Sequence, residues 1–148
     1  KLSISYFMLA TLAKCLVADE ETCDNNVVVF GDSLSDTGNL LYSTLGGLPP
    51  ANAGYDSGRF TNGKVWIEYL AEQMELKQPK PHYNTTIAGT NYAYGGAGSG
   101  NTASTSWTPL LSGAFLEIPA RGLLLQTEDF LNDNSIDCAS KTLFAIWI

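Results

Sequence analysis

The sequence predicts an α/β fold built on a parallel sheet. Residues 27–30 form a continuous apolar, β-branched run that ends at Gly31, which is typical of a strand buried on both faces. Residues 142–148 form a second run of this kind, predicted to be a buried strand. Between them, residues 63–74 carry apolar side chains at helical spacing. Strands that alternate with helices indicate an open α/β sheet.

Other segments extend this pattern. Residues 33–36 resemble a helix start, with Ser33 as N-cap and Asp36 three residues later. Residues 90–94 are a short predicted strand that runs into a glycine-rich loop at 95–100. We predict a helix over residues 119–131, because a proline suits the first turn of a helix, and a polar turn over residues 132–140.

The charge balance excludes some partners. The 148 residues contain 8 basic and 15 acidic side chains, a net charge of −7. Proteins that hold nucleic-acid phosphates need clustered lysine and arginine, and none cluster here. We therefore expect no nucleic-acid partner and no binding to anionic membrane surfaces.

The first 18 residues resemble a secretory signal peptide. Lys1 precedes an apolar run over residues 2–13, and an acidic stretch begins after Ala18. A short apolar run closed by a small residue is typical of a cleaved leader and is too short for a stable membrane anchor. We expect cleavage after Ala18 and a secreted protein whose domain starts at residue 19. A buried N-terminal helix is the alternative.

Cleavage after Ala18 leaves two cysteines, Cys23 and Cys138. An even number in an exported chain suggests a disulfide. Asn84 begins an Asn-Thr-Thr sequon, which predicts a glycosylated surface loop. The alternatives are free thiols, a partner for Cys138 further along the chain, and an unmodified loop.

Ser33 is the candidate nucleophile. It follows the first predicted strand, and ligands of open α/β sheets bind at the carboxyl ends of the strands. A serine there directs its hydroxyl into the crevice, and its backbone N–H lies at a helix N-terminus, where negative charge is stabilised. On position alone, a serine that merely caps the helix is an equal alternative.

Four segments in order resemble the GDSL (SGNH) family of esterases and lipases. They are GDSLSDTGN at 31–39, SGRFTNGKVW at 57–66, NYAYGGAG at 91–98 and LFAIWI at 143–148. The resemblance implies a three-layer α/β/α, flavodoxin-like parallel sheet, of which this chain holds the N-terminal half. It also implies hydrolysis of small-molecule or polysaccharide esters by a serine nucleophile, without a cofactor or a metal ion.

The resemblance assigns roles to individual residues. Ser33 is the nucleophile and its N–H is one oxyanion donor; Gly96 supplies the second donor, and Gly95 is the next candidate. Asp32 and Asp36, in the first of these four segments, are second-rank candidates for site residues. The family's strand order also places the last strand here beside the first, so Cys23 and Cys138 would lie together at the amino ends of neighbouring strands.

Two blocks of the family pattern are missing. The chain has neither the Gly-x-Asn-Asp block nor the Asp-x-x-His block that supplies the triad base. His82 is the only histidine, and Pro79 stands where that block would have its Asp. Serine is a weak nucleophile without a base, so we expect this segment to be inactive alone and to expose a bare sheet edge.

Two other functions are alternatives on the sequence. Residues 98–103 fit a loose dinucleotide fingerprint, which needs a helix starting at its glycines. A non-catalytic secreted protein that binds sugars or acyl chains is the second alternative. Its crevice would be lined by aromatic residues, namely Tyr55, Tyr92, Tyr94 and Trp107.

Overall fold

The computed structural model describes residues 25–84, 86, 89–109, 115–133 and 142–148. Its strands are β1 (Asn26–Gly31), β2 (Thr102–Pro109), β3 (Phe115–Arg121) and β4 (Thr142–Trp147). Its α-helices are α1 (Asn39–Ser43), α2 (Trp66–Gln73) and α3 (Leu123–Asn132), and a 3-10 turn covers Ala51–Ala53. No helix in these ranges is long and apolar enough to span a membrane.

The parallel sheet is centred on β1. It pairs with β4 in parallel, with Asn26 opposite Thr142 and Gly31 opposite Trp147. On its other side the predicted strand 90–94 runs parallel to it, through the Tyr92 N–H to the Val29 carbonyl at 2.8 Å. That segment forms isolated bridges and no continuous strand. The first and last predicted strands are confirmed, as is their parallel pairing.

Helices contact both faces of β1. Val27 and Val29 pack against Ile67 and Ala71 of α2. The alternate residues Val28 and Phe30 pack with Tyr92, and Leu123 and Phe130 of α3 lie against them. Because successive side chains of a strand point to opposite faces, burial of both sets explains why the run is apolar throughout.

Strand β4 is less buried than predicted. Only Ala145 is buried, whereas Phe144 and Ile146 are 54% and 58% exposed. Within the described part of the chain, β4 pairs with β1 alone. The apolar pattern predicted the strand correctly but not its exposure.

Two predicted helix boundaries are wrong. No helix starts at Ser33: residues 33–35 form a turn, and α1 begins at Asn39. Pro119 lies in β3 and not in a helical turn, since residues 115–121 pair antiparallel with β2. It falls opposite an irregularity in the register between Ala103 and Ser106, where a missing N–H is tolerated.

Candidate active site

The turn that carries Ser33 follows β1 directly, at the carboxyl end of the parallel sheet. The Asp32 N–H donates to the Trp147 carbonyl at 3.2 Å, which joins the turn to the end of β4. The Asp32 side chain accepts the Leu34 N–H at 2.9 Å, and the backbone carbonyl of Asp32 accepts the Asp36 N–H at 3.0 Å. Asp32 therefore shapes the turn from within, and Ser33 projects from a hydrogen-bonded loop.

Gly31 precedes this turn at a close approach of two chain segments. A Cβ at this position would lie 2.2 Å from the Trp147 carbonyl oxygen, so no side chain fits. The buried side chain of Gln126, on α3, bonds both backbone groups of Gly31: its Oε1 accepts the N–H and its Nε2 donates to the carbonyl, each at 2.9 Å. The backbone two residues before Ser33 is thus fixed on both sides.

An open pocket of about 490 Å³ adjoins Ser33. Apolar and aromatic side chains form most of its wall, with Thr61 and Lys64 as polar members; the others are Leu34, Phe60, Val65, Trp66 and Trp147. The Trp66 indole N–H donates to the Ser35 hydroxyl at 3.0 Å, which ties the pocket wall to the Ser33 turn. A hydroxyl beside an apolar pocket suits a ligand with an apolar chain.

The loop before α2 brings Phe60 to this pocket. Arg59 forms a two-pronged pair with Glu68 of α2, both N···O distances being 2.7 Å. Glu68 also accepts the Val65 N–H at 2.9 Å, at the start of the helix. The hydrogen bonds to Glu68 raise the pKa of Arg59 further, against the effect of burial. This pair holds the 57–66 segment against the helix.

Asp36 lies beneath the turn and outside the pocket. Its carboxylate is fully buried, and burial raises its pKa to about 6, against the lowering effect of backbone N–H donors. These donors include the N–H groups of Gly38 and Asn39, at 2.7 and 2.6 Å. A further donor is the Gly95 N–H at 2.9 Å. Asp36 thus accepts N–H groups at the start of α1 and also a hydrogen bond from the glycine-rich loop.

Gly95 and Gly96 do not line the pocket described above. Gly95 is buried, and a Cβ there would lie 2.6 Å from the Phe60 ring. Its N–H is already engaged by Asp36. Gly96 adopts a φ of 83°, which favours glycine. The glycine loop and the pocket meet at Phe60.

Two buried asparagines, which the sequence analysis did not single out, connect the first and third motif segments, residues 31–39 and 91–98. The Asn39 side chain donates to the carbonyls of Asn91 and Ala93, both at 2.7 Å. The Asn91 side chain donates in return to the Ser35 carbonyl at 2.7 Å. With Gln126, which was also missed, they form a buried polar network around the Ser33 turn. For Gln126 a signal existed, because it lies three residues after Leu123 and four before Phe130, on the apolar face of its helix.

The contacts of His82 are with aromatic and acidic side chains outside the Ser33 turn. Its ring stacks on Tyr92 at 4.2 Å between centroids, and its Nδ1 lies 3.6 Å from an Asp133 carboxylate oxygen. It does not line the Ser33 pocket. The sequence interpretation of His82 as a histidine with no part in the triad agrees with this placement.

The aromatic residues predicted to line the crevice are not the ones that line the Ser33 pocket. Tyr92 and Tyr94 are buried in the core, and the pocket aromatics are Phe60, Trp66 and Trp147. The Tyr55 ring contacts the Phe60 ring at a tilted angle without lining the pocket, and the Trp107 side chain lies outside the described residues. The dinucleotide alternative also fails, because residues 98–103 lead into β2 and not into a helix.

The remaining predicted sites are only partly described. Asn84 is half-buried and its side-chain oxygen accepts the Thr86 N–H at 3.0 Å. Residues 1–18, Cys23 and Cys138 lie outside the described residues. Glycosylation, the leader and the disulfide stay predictions.

Comparisons with known proteins point to one family. A phosphatidylcholine-sterol acyltransferase of Aeromonas hydrophila is 39% identical over 92 residues, which cover 62% of this chain and 24% of that protein. A GDSL esterase/lipase of Arabidopsis thaliana is 34% identical over 110 residues, covering 64% and 28%. A thermolabile hemolysin of Vibrio parahaemolyticus is 43% identical over 65 residues, covering 44% and 14%.

The chain spans about a quarter of the length of the first two relatives. The matched family profile, described as GDSL-like lipase/acylhydrolase, covers residues 27–141. That range contains the Ser33 turn, the pocket wall up to Trp66, the glycine loop and α3. The chain therefore belongs to the GDSL-like lipase/acylhydrolase family.

Proposed function

We propose that this chain carries the nucleophile of a secreted serine esterase, with Ser33 as the attacking residue. The observation that carries the proposal is the place of Ser33, in a fixed turn at the carboxyl end of β1 and beside an apolar pocket. Family membership supports ester hydrolysis as the reaction. Helices on both faces of β1 support a three-layer α/β/α arrangement for the whole domain.

In this mechanism the Ser33 Oγ attacks the ester carbonyl carbon and the carbonyl oxygen becomes an oxyanion. The N–H groups of Ser33 and Gly96 are the proposed donors to that oxyanion. Because the Gly95 N–H already donates to Asp36, Gly96 is the better candidate of the two glycines. The alcohol leaves, and water then releases the acyl group from Ser33.

Proton transfer needs a base that His82 does not provide. A serine hydroxyl becomes a competent nucleophile when an adjacent base accepts its proton. His82 stacks on Tyr92, away from the pocket, and is the only histidine of the sequence. We propose that residues 19–148 are the N-terminal portion of the hydrolase domain, and that a histidine beyond them supplies the base.

The pocket favours an acyl chain over an acetyl group. An acetyl group fills a small fraction of about 490 Å³, and five of the eight lining residues are apolar or aromatic. We therefore propose lipid esters as the substrate class ahead of carbohydrate acetates. Secretion, with residues 1–18 as leader, is part of the same proposal.

The test uses the protein extended to its natural C-terminus. A fluorophosphonate probe should label Ser33, and Ser33→Ala should abolish both labelling and turnover. Ser99→Ala, which removes an exposed serine of the glycine loop, is the matched control and should keep both. Activity on p-nitrophenyl esters should rise from acetate to octanoate.

Different results separate the alternatives. Labelling at another residue, with Ser33→Ala fully active, would remove Ser33 from the mechanism. A full-length protein that binds acyl chains but neither reacts with the probe nor turns over esters would support a non-catalytic binding protein. Preference for acetate would favour carbohydrate-acetyl esters.

A further inference from the structure

The Asp36 carboxylate joins two segments that are distant in sequence. One oxygen accepts the N–H groups of Gly38 and Asn39, at 2.7 and 2.6 Å. The other accepts the N–H groups of Leu40 at 3.2 Å and of Gly95 at 2.9 Å. Gly95 is 59 residues away along the chain. A single side chain therefore binds the start of α1 and the glycine loop at once.

A helix start alone does not require this carboxylate. Serine or threonine satisfies the first N–H groups of a helix as well, and α1 is only five residues long. A buried carboxylate is costly to keep ionised, and burial raises the pKa of Asp36 to about 6. The second oxygen adds a bond from the Leu40 N–H at 3.2 Å and the contact with Gly95, and only the contact with Gly95 reaches beyond α1.

The contacts on either side of Ser33 explain what this contact can do. Two residues before Ser33, the Gly31 carbonyl accepts the Tyr94 N–H at 2.9 Å. Three residues after it, the Asp36 carboxylate accepts the Gly95 N–H at the same distance. The Ser33 turn is thus bonded at both ends to the consecutive residues Tyr94 and Gly95, where the glycine loop begins, and Gly96 follows directly.

We propose that Asp36 is a positioning residue, which holds the Gly95–Gly96 loop at a fixed place relative to Ser33 so that both oxyanion donors face the same atom. The inference rests on the proposed function of Ser33 and Gly96. Asp36 itself touches no substrate, since it is buried beneath the turn. Its effect is on the transition state, where donor placement matters most.

The experiment compares Asp36→Asn with a matched variant in the full-length protein. Asn keeps one oxygen, which still accepts the N–H groups of Gly38 and Asn39 at the start of α1. It presents an NH₂ group where the second oxygen accepted the N–H groups of Leu40 and Gly95. The control is Thr44→Val at the other end of the same helix, which removes the bonds from Thr44 to the Leu40 carbonyl and from the Leu48 N–H. Thr44 has no hydrogen bond to the glycine loop among the described contacts.

For Asp36→Asn we expect kcat to fall by about 10–100-fold, with KM within about 3-fold, because a small misplacement of catalytic groups affects chemistry more than ground-state binding. Thr44→Val should leave both constants within about 2-fold. Hydrogen–deuterium exchange provides a readout independent of activity: the peptide spanning residues 92–98 should exchange at least about 10-fold faster in Asp36→Asn only.

The outcomes separate this inference from the proposed function. If Ser33→Ala is inactive while Asp36→Asn keeps wild-type kcat and exchange, Asp36 is not a positioning residue and Ser33 keeps its role. If Asp36→Asn and Thr44→Val accelerate exchange equally, Asp36 acts only through α1 and the inference fails. If Asp36→Asn does not fold, Asp36→Ser, which retains an acceptor for the helix start, must reproduce the loss of kcat.

Discussion

Replacing Gln126 by Met tests whether the backbone before Ser33 is held by a side chain. Met has nearly the same length and fills the same buried space, but it has no strong hydrogen-bonding group. The change removes three bonds: the Gly31 N–H to Oε1, and Nε2 to the carbonyls of Gly31 and Arg121. Their lengths are 2.9, 2.9 and 2.7 Å, so all three are well formed.

The expected loss of stability depends on which backbone groups lose their only described hydrogen-bond partner. The Gly31 carbonyl keeps the Tyr94 N–H at 2.9 Å, so it stays satisfied. The buried Gly31 N–H has no other acceptor among the described contacts, and leaving it unpaired costs about 1–3 kcal/mol. The Arg121 carbonyl belongs to a partly exposed residue and adds about 1 kcal/mol at most. We expect Gln126→Met to lower the free energy of unfolding by about 1–4 kcal/mol.

Urea unfolding of the full-length protein, followed by tryptophan fluorescence, measures this difference. Thr127→Val is the matched control, since it removes one exposed side-chain bond, to the Leu124 carbonyl, on the same helix. It should change the free energy of unfolding by less than about 0.5 kcal/mol. A loss below about 1 kcal/mol for Gln126→Met, at an unchanged m-value, would refute the role given to this side chain.

Two further predictions concern stability. Burial raises the pKa of Asp36 from 3.8 to about 6, so between these pH values the Asp36 carboxyl is protonated in the folded state and ionised in the unfolded state. The contribution of Asp36 to the free energy of unfolding is therefore complete below about pH 4 and is lost as the pH rises through 6, a decrease of about 3 kcal/mol. Asp36→Asn should abolish this pH dependence in unfolding curves measured between pH 4 and 7. Equal pH dependence in both proteins would contradict this. Gly95→Ala should lower the free energy of unfolding by about 1–3 kcal/mol through its clash with Phe60, whereas Gly100→Ala, where a Cβ meets nothing within 4 Å, should be nearly neutral. Equal costs for the two would mean that the Phe60 contact is not the cause.

The sequence predicted the elements whose side chains are uniformly buried or regularly spaced. Strand β1 is an apolar run because both its faces contact helices, and α2 shows its apolar face at helical spacing. The segment at residues 115–121 lacked such a signal. Its secondary structure depends on pairing with β2, which intrinsic propensity alone does not reveal. The sequence therefore predicts a helix start at Pro119, whereas the residue lies in a strand.

The position of Ser33 could be predicted, but the groups that hold its turn could not. Ser33 follows an apolar strand, and that order is visible in the sequence. The bonds from Gln126 to Gly31 and from Asn39 to Asn91 span 95 and 52 residues. Such contacts depend on which distant segments meet in the fold. Only the polar character of Gln126 on an apolar helix face indicated a buried partner in advance.

The register of β1 and β4 bears on the disulfide prediction. Asn26 lies opposite Thr142, so Cys23 precedes its strand by three residues and Cys138 by four. Both cysteines come before neighbouring ends of the two paired strands in the sequence, and the bond between them stays a prediction.

Such a bond would join the segments that precede the two strands, whereas Ser33 follows β1, so we expect it to be structural. It closes a loop of more than a hundred residues, for which chain entropy gives about 4.7 kcal/mol. In the exported protein, non-reducing peptide mapping should recover a peptide that joins Cys23 to Cys138, and Cys138→Ser should lower the midpoint of thermal unfolding. Alkylation of both thiols before reduction would show that the two cysteines are free. A link from Cys138 to a cysteine beyond residue 148 would show that Cys138 forms a disulfide with a partner other than Cys23.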